Sequence, residues 1–584
     1  MKRHLTSVIV LCLSLCGLAK AATAQEQAQA KASTVTLAKV AEKPNAITQA
    51  EIAIDPNILK WFLCTPPLNS VKAAHGNTDW HIDTANEFLY GVDMASNPTA
   101  PNHVPATWTR SHIHVGKLQT SKYYNDSTVT AGGMDADGTD GIDRSMLFFY
   151  AGHGDPESWS TLGDFGHQKD MMLGNCGNWG ISRYYWQCSC EVFAHGPRVC
   201  PGGGWDYSCP QDFDGSADSE AMRNVFERWG PALSSNLRMA CGSSTSAYCH
   251  EDQTNRIWDN YNNKHYDVAD SFIFGLHGSG YDSIVVPLCI TTGGFFTFTT
   301  PLYDTTFTNA ANPSGKYFHI QYLSKFATTA PKWPPIIIIL EKMPKIKFIL
   351  PDPPPFREEL IQEGLWLVSK EQVDGHPRIA FNTRTGATYV SNERINEEVS
   401  AQLSEEDYKE LAYRQLSELG LLEADMDEPQ VQRMMIDRIP RDGRQEKSES
   451  IQKNVIVTFE RVINVDDKQV RFLGEGGKIN VQLANDGKLI NVAKVWRKLD
   501  EKSMKGERLE VKPYERAYEE AMKQLENAKG YKLEGWDFGL EAQAGNVDQV
   551  ESQPIYRFVF KAADEENHGE GEKLPPRLIK VSAR

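Results

Sequence analysis

The sequence predicts an α/β protein: a mainly parallel sheet covered by helices on both faces, followed by a smaller α+β region. Three observations support this. Apolar, strand-like segments alternate with amphipathic, helix-like segments between residues 145 and 290, as they do in parallel sheets. A proline-rich stretch at 330–356 then separates two compositions. Beyond it the chain is rich in charged residues and free of cysteine, whereas all 11 cysteines lie at or before Cys289.

The first 24 residues have the pattern of a secretory signal peptide. Lys2 and Arg3 precede an apolar stretch, and small residues stand at Ala22 and Ala24, where cleavage is expected. The mature chain is therefore expected to be exported, to a periplasmic or extracellular location. Residues 25–50, rich in Ala, Gln, Lys and Thr, are expected to form a flexible leader.

Residues 51–325 are predicted to form the α/β domain. Four apolar segments are expected as strands and two amphipathic segments as helices: 145–151, 182–188, 236–241 and 283–290 for the strands, 217–229 and 253–276 for the helices. In the second helix Ala269, Phe272, Ile273 and Leu276 repeat at helical spacing and predict one buried face.

Residues 326–356 are expected to form a proline-rich linker, and residues 357–584 a second region. In that region the patterns predict a helix at 404–421, strands from residue 454, a hairpin turn at 485–487, a helix at 513–527 and two closing strands. The order of helix and hairpin, with "GEGGKINVQLANDGKLINV", resembles the PepSY-type modules of secreted bacterial peptidases. The resemblance covers roughly 400–584 and implies an inhibitory, chaperoning or substrate-presenting role.

Charge and hydropathy exclude two classes of partner. The formal net charge is −16, and no basic stripe or patch indicates nucleic-acid binding. No segment after the N-terminus approaches the roughly 20 apolar residues that a membrane-spanning helix requires. We therefore expect neither a nucleic-acid partner nor a membrane span.

Chemistry-bearing residues follow two of the predicted strands. "LFFYAGHG" ends in His153 and Gly154, and "YYWQCSCE" contains Cys188 and Cys190. In parallel sheets the carboxyl ends of the strands form the active-site edge. A cysteine attacks as its thiolate and needs a neighbouring base, which a histidine at the next strand end can supply.

The pair of motifs resembles the caspase-like cysteine peptidases, which include caspases, metacaspases, legumains and gingipains. The resemblance covers about 140–290. Together with the PepSY-like region, the chain is similar to a family of exported proteins in which this core is fused to PepSY-like modules. It implies Cys190 as nucleophile, His153 as general acid and base, and the N–H groups of Gly154 and Cys190 as oxyanion hole. The implied substrate is a peptide or protein, with the chain's own C-terminal region as a possible inhibitor.

Other interpretations of these residues remain open. Cys188 is the alternative nucleophile if it, and not Cys190, is the functional strand-end residue. The nine cysteines after the signal segment permit four disulfides and one thiol, with Cys200–Cys209 and Cys241–Cys249 as plausible local bridges. On a fully disulfide-bonded scaffold the protein would be a non-catalytic extracellular binding protein.

No cofactor is expected, although two segments have features of metal sites. Cys188, Cys190, His195, Cys200 and Cys209 could supply zinc ligands but lack paired CxxC spacing. The acidic loop 133–143 could bind calcium, although its spacing does not fit an EF-hand.

Overall fold

A mixed sheet of 15 strands is the main feature of the computed structural model of this chain. The structure describes residues 340–584 apart from 374–375, 393–402, 441–448, 526–527, 546 and 563–576. Before residue 340 it describes the strands and helices whose bounds are given below, together with residues 183, 189, 192–193, 229, 233, 237–238, 264, 266–267 and 277. All of these belong to one unit, Pro66–Arg584.

The first half of the sheet is built from the strands that precede residue 326. In chain order the strands of this half of the protein are β1 (Ser70–His75), β2 (Thr109–His112), β3 (Leu147–Ala151), β4 (Ser158–Ser160), β5 (Phe165–His167), β6 (Tyr184–Cys188), β7 (Met239–Ser243), β8 (Pro287–Thr291) and β9 (Tyr317–Lys325). Their order in the sheet is β2-β1-β3-β6-β7-β8-β9. The first five are parallel, and β8 and β9 are each antiparallel to the preceding strand. β4 and β5 form a separate antiparallel pair.

Two helices, α1 (Glu251–Asn262) and α2 (Val268–Leu276), stand where the sequence predicted one helix over 253–276. That prediction is wrong because the chain breaks between them. Asp267 caps the second helix, its side chain accepting the N–H of Asp270 at 2.9 Å. The apolar face predicted for α2 is confirmed, since its four members are fully buried: Ala269, Phe272, Ile273 and Leu276.

The chain after residue 340 is mostly strand. Its strands are β10 (Lys342–Pro344), β11 (Ile346–Ile349), β12 (Leu360–Glu363), β13 (Trp366–Ser369), β14 (Gln372–Val373), β15 (His376–Pro377), β16 (Ile379–Asn382), β17 (Thr388–Ser391), β18 (Gln430–Pro440), β19 (Glu449–Glu460), β20 (Val462–Val465), β21 (Lys468–Leu473), β22 (Lys478–Leu483), β23 (Leu489–Val495), β24 (Lys498–Leu499), β25 (Arg508–Glu510), β26 (Tyr531–Glu541), β27 (Glu551–Ser552), β28 (Pro554–Ala562) and β29 (Arg577–Ser582). The helices are α3 (Glu405–Glu418), α4 (Glu501–Met504) and α5 (Tyr514–Gln524), with a 3₁₀ turn at Ala528–Gly530.

The large sheet continues across the proline-rich segment. β9 pairs antiparallel with β18, from Tyr317 opposite Pro440 to Lys325 opposite Gln432. Beyond β18 the order is β19-β22-β23-β17-β16-β13-β12, all antiparallel. The fold is therefore mixed α/β, with a sheet that is parallel only over its first five strands.

The segment 340–349, which the sequence predicted as part of a linker, contributes to a core. Met343 of β10 and Ile346 of β11 are fully buried. β10 pairs with β25, and β11 pairs with both β24 and β27. The proline-rich stretch thus marks a change of composition and does not interrupt the folded structure of the described residues.

Helix α3 packs on the antiparallel part of the sheet. A capping box formed by Ser404 and Asp407 begins the helix within the predicted segment 404–421. The face predicted for the hairpin is confirmed, because Ile479, Val481 and Leu483 are fully buried against this helix. Gly487 adopts φ +83 in the turn between β22 and β23, a conformation that favours glycine.

A second, five-stranded sheet follows the order β20-β21-β26-β28-β29 and packs against α5. The predicted helix 513–527 and the two closing strands are found here as α5, β28 and β29. Val559 of β28 also joins the core that α1 and α2 form with the first half of the large sheet. In the described residues no helix is both long enough and apolar enough to cross a membrane.

Close packing of α1 against α2 gives a test of the fold. A Cβ at Gly275 would lie 2.8 Å from the Cα of Ile257, so Gly275→Ala requires a backbone shift. We expect a loss of about 1–3 kcal/mol in the free energy of unfolding, the usual cost of overpacking. Urea denaturation measures it. Gly506→Ala is the control, since a Cβ there meets nothing closer than 3.4 Å; equal stability of the two variants would contradict this packing.

Candidate functional site

The carboxyl ends of β3 and β6 lie side by side. The two strands are parallel neighbours, and Ala151 and Cys188, their last residues, form a register pair. His153, Gly154 and Cys190 lie outside the described residues, each within three positions of one of these strand ends. The structure therefore locates the strand ends from which the predicted site residues follow.

Cys188 is placed in the core. It is fully buried, and its Sγ donates to Oε1 of Gln253 on α1 at 3.5 Å. Gln253 Nε2 in turn donates to the carbonyl of Leu276 at the end of α2, at 3.3 Å. This chain of contacts holds the end of β6 against both helices. The thiol of Cys188 is thus part of the packing at this strand end.

The chain on either side of Cys190 is anchored. Ser189 is fully buried, and its hydroxyl has no hydrogen-bond partner in the part of the chain that the structure describes. After Cys190, the backbone N–H of Phe193 donates to the carbonyl of Ser243, the last residue of β7, at 3.0 Å. Trp229 stacks on Phe193 with ring centroids 4.3 Å apart. Ser189 and Phe193 are thus located at the ends of β6 and β7, respectively.

A buried ionic cluster joins α2 to the second half of the sheet. Lys453 of β19 contacts Asp267 at 2.5 Å and Asp270 at 3.0 Å. Gln482 of β22 donates to Asp270 at 3.0 Å, and Gln321 of β9 also donates to it. A β-bulge in β19 lies between the positions opposite Met434 and Met435, which is where Lys453 stands.

Burial and charge compete within this cluster. Burial raises the pKa of Asp267 to about 6, with a further increase from Asp270, while Lys453 acts in the opposite direction. For Lys453, burial alone would lower the pKa, but the two carboxylates outweigh it and the pKa is raised. The ammonium of Lys453 therefore stays charged, and it compensates the acidic groups next to it.

A second buried cluster surrounds Glu475, in the turn before β22. Its carboxylate contacts Lys478 at 2.8 Å, Lys264 at 3.2 Å and Arg256 at 4.0 Å. Burial would raise the pKa of Glu475, but these three bases outweigh it and hold the pKa well below its usual range. Lys264 also contacts Asp259 of α1 at 3.2 Å. Like the first cluster, this one ties the helices of the first half to the second half.

A third carboxylate, Asp437 of β18, is buried and is bound by two hydroxyl groups. It accepts hydrogen bonds from Tyr322 at 3.1 Å and from Ser450 at 2.5 Å. Burial raises the pKa of Asp437 to about 6, although both hydrogen bonds act to lower it. Because Tyr322 is on β9 and Ser450 is on β19, this group also spans the boundary between the two halves of the sheet.

A cavity of about 770 Å³ lies in the second half, remote in sequence from the predicted site. Arg461 in its wall contacts Asp425 at 2.6 Å and lies 5.0 Å over the ring of Trp496, whose Nε1 donates to Asp425 at 3.1 Å. Lys494 and Glu423 form another pair in the wall. Oppositely charged side chains are thus paired at two places in the wall of the cavity.

Neither metal interpretation gains a site within the described residues. No group of three or more His, Cys, Asp or Glu there could hold a metal ion. Cys188 is the one described member of the proposed zinc set, and its thiol contacts Gln253. The calcium loop 133–143 lies outside the described residues, as do the remaining zinc candidates Cys190, His195, Cys200 and Cys209.

The ionic clusters were not predicted from the sequence, although weak signals for them exist. Lys453 interrupts an apolar strand pattern in "IQKNVIVTFE", where a charge has no evident reason to be. Asp267 caps α2 and Asp270 lies in its first turn, where acidic residues are common for local reasons. Only the tertiary structure shows that these groups meet.

No family model and no curated protein matches the chain. Among solved structures, an uncharacterised protein from Eubacterium rectale, known from a crystal structure, is similar over 42% of this chain and 84% of its own. The identity is 10% and the TM-score 0.22. A likeness at this level supports no argument about fold or function.

Removing Lys453 should be costly. Lys453→Met leaves Asp267 and Asp270 buried without their cation, and we expect the free energy of unfolding to fall by about 3–5 kcal/mol. Urea denaturation near neutral pH measures it. Lys370→Met, which breaks an exposed pair with Glu359, should cost less than about 1 kcal/mol. Comparable losses in the two variants would show that the cluster does not join the halves.

Asp437 should make stability fall as pH rises. The pKa of Asp437 is raised from 3.8 to about 6 in the folded protein. Its favourable contribution to the free energy of unfolding is therefore complete below the unfolded pKa and is lost as the pH rises through the folded pKa. Asp437→Asn should therefore gain stability relative to the wild type between about pH 4 and pH 7, by up to about 3 kcal/mol. Asp486→Asn is the control of opposite sign, because hydrogen bonding to Lys488 lowers the pKa of Asp486. Parallel behaviour of the two variants would refute the assignment.

Proposed function

We propose that this chain is an exported cysteine-peptidase-like hydrolase of caspase-like fold that cleaves peptide bonds with Cys190 and His153. The observation that carries the proposal is the register pair of Ala151 and Cys188. His153 and Cys190 each follow one member of this pair by two residues. Two residues span at most about 7 Å of chain, and neighbouring strands lie about 4.8 Å apart, so both residues leave the sheet at one edge.

The strand order supports an active site at this edge. The five parallel strands of the sheet are, in chain order, β1, β2, β3, β6 and β7. Numbered 1 to 5 in that order, they lie in the sheet in the doubly wound order 2-1-3-4-5. In such sheets the connections change direction between the first and third strands, and ligands bind beyond the carboxyl ends there. His153 follows β3, one of the two strands at this change of direction, and Cys190 follows the strand next to it.

The core position of Cys188 favours Cys190 as the nucleophile. Cys188 is fully buried and hydrogen-bonded to Gln253, so it faces the helices and cannot meet a substrate carbonyl. Ser189 and Phe193, on either side of Cys190 in the sequence, are both fully buried.

In the proposed reaction His153 takes the proton of the Cys190 thiol, and the thiolate attacks the scissile carbonyl carbon. The N–H groups of Gly154 and Cys190 stabilise the negative charge on the carbonyl oxygen. His153 then protonates the leaving amine, and an acyl-enzyme remains. Water, deprotonated by His153, cleaves the thioester and returns the thiol.

For the C-terminal region we propose an accessory structural role in preference to a releasable inhibitor. β18 continues the sheet of the first half along the whole of β9, and Met434 and Ile436 belong to the same core as Phe149 and Trp186. Separating the regions would expose this core and the ionic clusters. The region therefore supports the sheet that bears the proposed site.

A non-catalytic extracellular binding protein is the second candidate function. The cavity of about 770 Å³ lies among residues of the second half and includes none of the proposed catalytic residues. Its size is in the range of small-molecule and peptide sites. In this case Cys190 would be a half-cystine, and no thiol would show unusual reactivity.

Labelling of the native full chain with an iodoacetamide-type probe separates the two candidates. Cys190 should react at least about tenfold faster than Cys188, because only an accessible thiolate is nucleophilic. His153→Ala should slow this labelling near neutral pH and lower any peptide hydrolysis by about 10²–10⁴. Quantitative mass spectrometry of the labelled peptides gives both rates.

The matched control is His195→Ala, compared at equal thermal stability. This histidine belongs to the same cysteine-rich segment and is followed by Gly196 and Pro197. Normal activity in His153→Ala with loss in His195→Ala would overturn the catalytic assignment. Recovery of Cys190 in a disulfide would favour the binding protein.

A further inference from the structure

Two cysteines lie directly opposite each other in the centre of the large sheet. Cys241 of β7 and Cys289 of β8 form a register pair between antiparallel strands. Residues opposite each other in such a pair have Cα atoms about 4.5 or 5.5 Å apart. Disulfides join Cα atoms about 4.4–6.8 Å apart, so this register needs no rearrangement of the backbone.

Both side chains are on the same face of the sheet. The two cysteines belong to one core cluster, are fully buried and are present as thiols. Their side chains are close enough for each thiol to affect the pKa of the other. On the far side of β7, Cys241 is opposite Trp186 of β6, and on the far side of β8, Cys289 is opposite Gln321 of β9. Across these strand pairs, each cysteine therefore has only the other as a cysteine neighbour.

We propose that Cys241 and Cys289 form a cross-strand disulfide when the chain folds in an oxidising compartment. The oxidant is another disulfide, on a small molecule or on a protein. The thiolate of Cys241 attacks one sulfur of that disulfide, forms a mixed disulfide and releases the first thiol. Cys289 then attacks Sγ of Cys241 and releases the second thiol, so the protein loses two protons and two electrons.

The surroundings determine when this exchange takes place. Burial raises the pKa of both thiols in the folded protein, so little thiolate is present there. α2 also covers the pair, with Sγ of Cys289 3.9 Å from the carbonyl oxygen of Ala269. Oxidation therefore belongs to the folding stage, before α2 docks, and the finished bond is protected from later reduction.

The bond would reinforce the strand pair at which the sheet changes from parallel to antiparallel. β7 is the last parallel strand and β8 the first antiparallel one. The loop closed by the bond contains both α1 and α2, which carry Asp259, Asp267 and Asp270 of the ionic clusters. The proposal rests on the export that is part of the proposed function, but not on the hydrolase chemistry, because it requires neither Cys190 nor His153.

Peptide mapping of the full chain tests the proposal. The protein is folded with glutathione disulfide, unfolded in acid, blocked with N-ethylmaleimide and digested without reduction. Cleavage after Tyr248 separates Cys241 from Cys249, so the bridge predicted from the sequence is distinguishable. The expected result is a linked pair of peptides containing Cys241 and Cys289, which separates on reduction into two peptides that can then be alkylated.

Variants give a second readout. Cys241→Ser and Cys289→Ser should each leave the partner as a thiol that takes up one maleimide after unfolding, whereas Cys249→Ser should leave the linked pair intact. Maleimide on both cysteines of the unfolded wild type overturns the proposal. So does a bond from Cys241 to Cys249 or to any other cysteine. If a variant does not fold, the wild-type map alone decides.

Discussion

The antiparallel pairing of β9 with β18 is the contact on which the rest of the structure depends. Through it a parallel sheet from the first half and an antiparallel sheet from the second become one sheet. Neither half could end at this pairing without exposing a long edge of unpaired N–H and C=O groups. The ionic cluster of Lys453 lies beside the pairing and adds side-chain contacts from α2, β9 and β22 to the backbone hydrogen bonds.

The cluster also determines the register of the second half. A slip of one residue in a strand moves each side chain to the opposite face. Such a slip would remove Lys453 from Asp267 and Asp270 and leave two buried carboxylates without a cation. The bulge in β19 also favours the observed register, because it allows the successive residues Lys453 and Asn454 both to reach Asp270. Apolar contacts alone would penalise a misaligned register less, since one apolar side chain can replace another.

Local patterns predicted the buried strands of the first half and two helices of the second half, but they did not show how these elements join. "LFFYA" and "YYWQC" are buried strands, and a helix begins after Ser404, within the predicted segment 404–421. The break between α1 and α2 was missed because Asp267 acts as a cap only once Val268 starts a new helix. Strand propensity carries no information about the partner strand, so the pairing of β9 with β18 could not be predicted. For the site, the sequence identified the two strand ends, and the register of Ala151 with Cys188 required the structure.

This difference between local and long-range information also explains why a proline-rich segment suggested two independent domains. Prolines break regular structure locally, and a change of composition describes only the residues on each side of it. Neither feature shows which strands pair. Met343 and Ile346 lie within the segment and are nevertheless fully buried. Part of the stretch that the sequence assigned to a linker therefore lies in a core. The strand ends that carry the proposed site are thus held by a sheet whose far half is encoded more than two hundred residues later, in β18 and β19. A substitution in β19 can therefore alter the edge at which Cys190 follows β6 without contacting it.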